Sequence, residues 1–178
     1  VDIQATDITT INGDTTGTIT VSNTIDINGT SANVKLAFDA IDTNTGNATA
    51  TLTNAHTLAE LKAINNATSG TITLNDASVA LSGTSADVVA ALTGITGYTG
   101  NVTLSDAHTL ADLKTINNAT DGTITLNSYA VALSGSTADV KAALAGTFGD
   151  TYTGNVTLTD ANTVDIQATD ITTINGDT

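Results

Sequence analysis

The side chains best placed to do chemistry are three aspartates in matching contexts: Asp76 in NDA, Asp106 in SDA and Asp160 in TDA. Each follows a segment that reads as a strand. Stacking such segments would bring the carboxylates into a row at a corner. With carbonyl and Asn oxygens nearby, such a row suits Ca²⁺, a hard cation that takes about six to eight oxygens. The competing reading is turn chemistry, in which Asp accepts from nearby backbone amides. Neither an EF-hand loop nor a GGxGxD nonapeptide occurs, which favours turns and leaves Ca²⁺ as the alternative. His56 and His108 share the context AHT, and Asn162 takes that place in a third copy. Exchange of His for Asn suits a hydrogen-bonding corner better than a metal ligand or a catalytic base.

A second surface signal is the pairing Thr18/Thr20, Thr49/Thr51, Thr71/Thr73 and Thr123/Thr125. On one face of a sheet these hydroxyls and methyls would form a ladder that resembles the face of β-solenoid ice-binding proteins. Thr is also simply well suited to the outer face of a strand. No nucleophile–base pair, phosphate loop or dinucleotide fingerprint is present, and the single glutamate, Glu60, sits where a helix cap needs it. We therefore expect no catalysis and no small-molecule substrate.

The elements that would carry these residues come from repeats. The string VDIQATDITTINGDT occupies both Val1–Thr15 and Val164–Thr178, 163 positions apart. Inside that period, AHTLAELKAINNATSGTITL begins at Ala55 and AHTLADLKTINNATDGTITL at Ala107, 52 residues later. Self-similarity of this kind is the mark of a stacked-repeat protein. It divides the chain into units of about 1–54, 55–106 and 107–160, with 161–178 opening the next copy. We read 1–178 as one continuous array.

Each unit contains strand and helix patterns. Thr71-Ile72-Thr73-Leu74 alternates with period two, as a half-buried strand does. Val88, Ala91, Leu92 and Ile95 have helical spacing, as do Val34, Ala37, Phe38 and Ile41. Thr57-x-x-Glu60, Thr109-x-x-Asp112, Thr84-x-x-Asp87 and Ser136-x-x-Asp139 are helix starts. Asn65-Asn66, Asn117-Asn118, Gly94 and Gly146 read as helix stops. Strand anchors at Val21, Leu52, Leu74, Leu104, Leu126 and Leu158 give about 27 residues per strand–helix coil, a solenoid spacing. The expected fold is α/β: an open-ended, right-handed β/α solenoid. The alternative is a mostly-β parallel β-helix. The interior ladder of the β/α solenoid would use Ile19, Val21, Leu52, Ile72, Leu74, Val102, Leu104, Ile124, Leu126, Val156 and Leu158.

Composition narrows the partners. Eighteen acids against four lysines give a net charge of −14, which repels nucleic acid and anionic membrane. No apolar run reaches membrane-spanning length. There is no Cys, Met, Trp or Pro, and only five aromatic residues, so the core must be aliphatic. Neither end carries an obvious polar cap, so the expected partner is another copy of the same repeat.

The words LKAINNATSGTITL, VALSGTSADVVAAL and GYTGNVTLSDAHTLADLK resemble repeats of giant secreted surface proteins of cyanobacteria and other aquatic bacteria. The resemblance implies export and a structural role at the cell surface, as a segment of a filament or stalk. A Ca²⁺-dependent or ice-binding adhesin stalk is the alternative, and a phage or surface-layer fibre a further one.

Overall fold

The computed structural model describes residues 1–162 and 164–178. These residues form seven helices of eight to ten residues and eleven strands of two to four, and every strand pairing is parallel. The class is α/β. The helices outweigh the strands, so the mostly-β alternative does not hold. Among the described residues no helix is long and apolar enough to cross a membrane. The chain divides into two compact units, Val1–Val79 with Ala90–Ile95, and Ala80–Val89 with Thr96–Thr178.

In the first unit the order is β1 (Asp2–Gln4), α1 (Ala5–Asp14), β2 (Thr20–Val21), β3 (Asp26–Gly29), α2 (Ser31–Ala40), β4 (Thr43–Asn44), β5 (Thr49–Leu52), α3 (Leu58–Ala67) and β6 (Ile72–Thr73). One ladder runs β1-β3-β5-β6, with Ile3 opposite Ile27, Ile27 opposite Ala50 and Ala50 opposite Ile72. A side ladder pairs β2 with β4. Ile27, Ala50 and Leu52 face inward with Val34, Ala37 and Phe38 of α2 and Ala5 and Ile8 of α1, forming one apolar core.

In the second unit the order is β7 (Leu81–Gly83), the start of α4 (Ser85–Leu92, whose residues from Ala90 belong to the first unit), β8 (Val102–Leu104), α5 (Leu110–Ala119), β9 (Ile124–Thr125), β10 (Leu133–Gly135), α6 (Thr137–Leu144), β11 (Val156–Leu158) and α7 (Ala168–Gly176). Its ladders are β7-β8-β9 and β10-β11. In β8, Val102 and Leu104 are buried while Thr103 between them is exposed, the alternation read from the sequence. Leu113 and Ile116 of α5 and Val140, Ala143 and Leu144 of α6 close the core.

The expected single column of anchors is corrected. Val21 lies in β2 and pairs with Asn44, whereas Leu52 pairs with Gly29 in the other ladder. Partnered residues lie 21 to 24 positions apart, not about 27. The figure of 27 is the mean spacing of the helix starts, Ala5 to Ala168 in six steps. The two periods differ because some steps contain a second strand. After β6 and β9 the chain turns and enters β7 and β10, nine residues further on, before the next helix. Leu74 and Leu126 fall just past β6 and β9. Of the expected interior residues, Val21, Leu52, Val102, Leu104, Ile124 and Leu126 are buried, and Ile19, Ile72, Leu74, Val156 and Leu158 are half-buried.

Ladder steps this close leave no room beyond the main chain at certain points. A Cβ on Gly70 would overlap the carbonyl of Ala48, and one on Gly122 that of Gly100, 22 residues back in each case. The recurring Gly-Thr-Ile-Thr start of a strand is thus a close approach of two backbones.

Candidate functional site

Several of the polar residues singled out by sequence lie at helix ends. Thr57 and Thr109 close capping boxes at the starts of α3 and α5, with Glu60 and Asp112 returning the bond to the cap amide. The hydroxyls of Thr30, Thr84 and Ser136 cap α2, α4 and α6 by accepting from the amides of Asn33, Asp87 and Asp139. Those three helices have a second cap that arrives from a later part of the chain. The Ser31 amide donates to Asn54 Oδ1 at 2.8 Å, the Ser85 amide to Asp106 Oδ1 at 2.7 Å, and the Thr137 amide to Asp160 Oδ2 at 2.9 Å. The Thr137 hydroxyl adds a bond to Asp160 at 2.6 Å. A carboxylate at a helix N-terminus is favoured by the orphan amides and the helix dipole. These bonds hold the Asp160 carboxyl below its ordinary range.

The structure therefore separates the three aspartates proposed for Ca²⁺. Asp106 and Asp160 share one role, with Asn54 as the third member. Asp76 has another: it accepts from the Ser78 hydroxyl and amide in a local turn that leads out of β6, and these bonds lower its carboxyl. Among the described residues no three His, Asp or Glu side chains gather as a metal site. Asn54 was missed by sequence reading. The signal was present in the alignment of TLTNAHT with TLSDAHT and TLTDANT.

Asn65 and Asn117 are not helix stops, since α3 and α5 run through them. Their amides reach forward instead, Asn65 to the carbonyls of Ala90 and Thr93 at 2.7 and 2.8 Å, and Asn117 to that of Ala142 at 2.6 Å. Each covers the open C-terminal carbonyls of another helix. Gly94, by contrast, does adopt the left-handed conformation after α4, with φ at 77°. Lysines tie consecutive helices of the second unit: Lys114 pairs with Asp139, and Lys141 with Asp170 at 2.5 Å.

His108 is buried, and its Nε2 lies 3.0 Å from the Tyr152 hydroxyl. That hydroxyl donates its own proton to the Val131 carbonyl at 2.5 Å. The tyrosine can then only accept from the ring, so Nε2 carries the hydrogen and Nδ1 is bare. Nδ1 is buried with no hydrogen-bond partner, so a second proton there would go unsatisfied. Burial lowers the His108 pKa, against the opposing pull of Asp112 and Asp106. His56 is likewise buried and lowered by desolvation. A buried neutral imidazole facing a tyrosine is a packing group with one fixed bond.

The outward hydroxyls line up along the ladders, with Ser82, Thr103 and Thr125 in register and exposed. Half-buried Thr51 stands in register with exposed Thr73. In the neighbouring column Thr49 is drawn off to Asp26 by a bond of 2.7 Å. Comparison with known protein families, curated proteins and solved structures gives no match for this chain.

Proposed function

We propose that this chain is a structural repeat module of a long filament or surface stalk, exported and non-catalytic, wound as a right-handed β/α solenoid. Its partners are further copies of the same repeat. The observation that supports this most is the recurrence of one set of neighbour relations. Parallel strands pair at steps of 21 to 24 residues, and a later Asn or Asp caps an earlier helix 21 to 23 residues back. Such relations pass force and stability from neighbour to neighbour, as in repeat proteins generally. Asn54, Asp106 and Asp160 take part in these relations as helix caps.

The test is electron microscopy of the native material. Six strand–helix steps per 163-residue period, each rising by one strand spacing of about 4.8 Å, give an axial repeat of about 30 Å. Fibres with that repeat are the expected result. Discrete globular particles would end the proposal.

A further inference from the structure

The two copies of VDIQATDITTINGDT bury different, adjoining sides of the helix. In α1, Ala5 and Ile8 are 1% and 5% exposed, covered within the first unit by β3 and α2, while Ile11 is 55% exposed. In α7 the burial reverses. Ile174, the counterpart of Ile11, is 6% exposed, and Ile171, the counterpart of Ile8, is 47% exposed. The face of α7 carrying Ile174 lies toward α6, where Asp170 pairs with Lys141. Asp7, the counterpart of Asp170, is exposed. Asp2–Gln4 pairs as a strand with β3, but Asp165–Gln167 forms no strand. Each copy thus lacks the neighbour that the other has.

We infer that the Asp7/Ile11 face of α1 is a docking surface for α6 of a second copy of this chain, and that α7 occupies α6 as a built-in substitute for that visitor. The inference rests on the filament reading above and names its joint. In the second copy of the word, the residues equivalent to the Ile11 face are already covered by α6. When the α1 of one copy replaces the α7 of another, Asp7 takes the place of Asp170 on Lys141, and Ile11 that of Ile174. Because the residues are identical, the contacts that Asp170 and Ile174 of α7 give up can be re-formed by Asp7 and Ile11 of the incoming helix. The released segment recovers chain entropy, and the association costs translational freedom. The visitor's other face needs space for its own β3 and α2, and the exposure of Ile171 marks that side of the seat as open. The interface joins unlike surfaces, so it propagates head to tail without closing by a two-fold axis.

The test is sedimentation velocity on the full chain and its variants across a concentration series, with circular dichroism to verify folding. Ile174→Asp weakens the substitute and should bring assembly into multiples of 17.8 kDa at concentrations at least tenfold below the parent's. Ile11→Asp, at an exposed position, should leave the chain monomeric throughout, and so should the double variant. Should Ile174→Asp fail to fold, the charge pair serves in its place. Lys141→Asp alone should abolish assembly, and Lys141→Asp with Asp7→Lys should restore it. A folded Ile174→Asp chain that stays monomeric, or an Ile11→Asp change that leaves assembly intact, would overturn the inference. Fibres in native material combined with an indifferent Ile11→Asp variant would remove this joint and leave the filament reading standing.

Discussion

The first fifteen residues and the last fifteen are the same string, yet one becomes a strand followed by a helix and the other a helix alone. The strand at Asp2–Gln4 exists where β3 is present to pair with it, and the buried side of each helix is the side that has a neighbour. Helix formation is therefore local to the word, while strand pairing and burial are conferred by what lies alongside. The proposed repeat module, with stability summed over adjacent units, predicts that behaviour.

The largest test of this contrast is an interior position with neighbours on both sides. Gly122→Ala should destabilise by about 3 kcal/mol or more in urea unfolding, because its methyl group meets the backbone of Gly100. Next comes the word itself. Ile8→Ala should cost about 2–3 kcal/mol, and Ile171→Ala about 0.5 kcal/mol or less, although the two substitutions are the same change in the same string. Equal costs would break the comparison.

A smaller effect tests the interior bond between Tyr152 and His108. Tyr152→Phe leaves the Val131 carbonyl and the His108 Nε2 without their partner, at a cost of about 1–2 kcal/mol. The same pair makes stability depend on pH from two sides. His108 is held below 6.5 by burial, so below that pH the unfolded chain binds a proton that the folded chain resists. Its contribution is present above about pH 6.5 and declines as the pH falls. Burial pushes the Tyr152 hydroxyl up to about 12 from 10, so its contribution is present below pH 10 and is lost as the pH rises through 12. Thermal melts of the parent and of Tyr152→Phe across both ranges check this; the alkaline limb should vanish in the variant. The smallest effect is purely local. Gly13→Ala and Gly176→Ala meet nothing within 4 Å and should each stabilise by about 0.5–1 kcal/mol, equally in the two copies.

Much of the secondary structure could be read in advance because it rests on short-range chemistry. Thr57-x-x-Glu60 and Thr109-x-x-Asp112 announce helix starts by residues three apart, and both form as capping boxes. The alternation in Val102-Thr103-Leu104 announces a strand. Leu81-Ser82-Gly83 gave no comparable signal. It has neither alternation nor β-branching, and it is a strand because β8 lies beside it. The pairing step was hidden for the same reason. Helix spacing can be counted along a sequence, but whether a strand pairs with the one just before it depends on how the turn at Asp76 redirects the chain. The candidate site was half legible. Asp106 and Asp160 share a phase, but Asp76 imitates their context while closing a turn on Ser78.

The caps that Asn54, Asp106 and Asp160 place on earlier helices bear on how such a molecule comes apart. Each holds the start of a helix that precedes it, so a terminal segment peeled away uncovers the amides of the one before. Loss of order should then travel inward from an end like an unzipping seam, and a pull applied along the chain should be resisted in a series of small, similar steps.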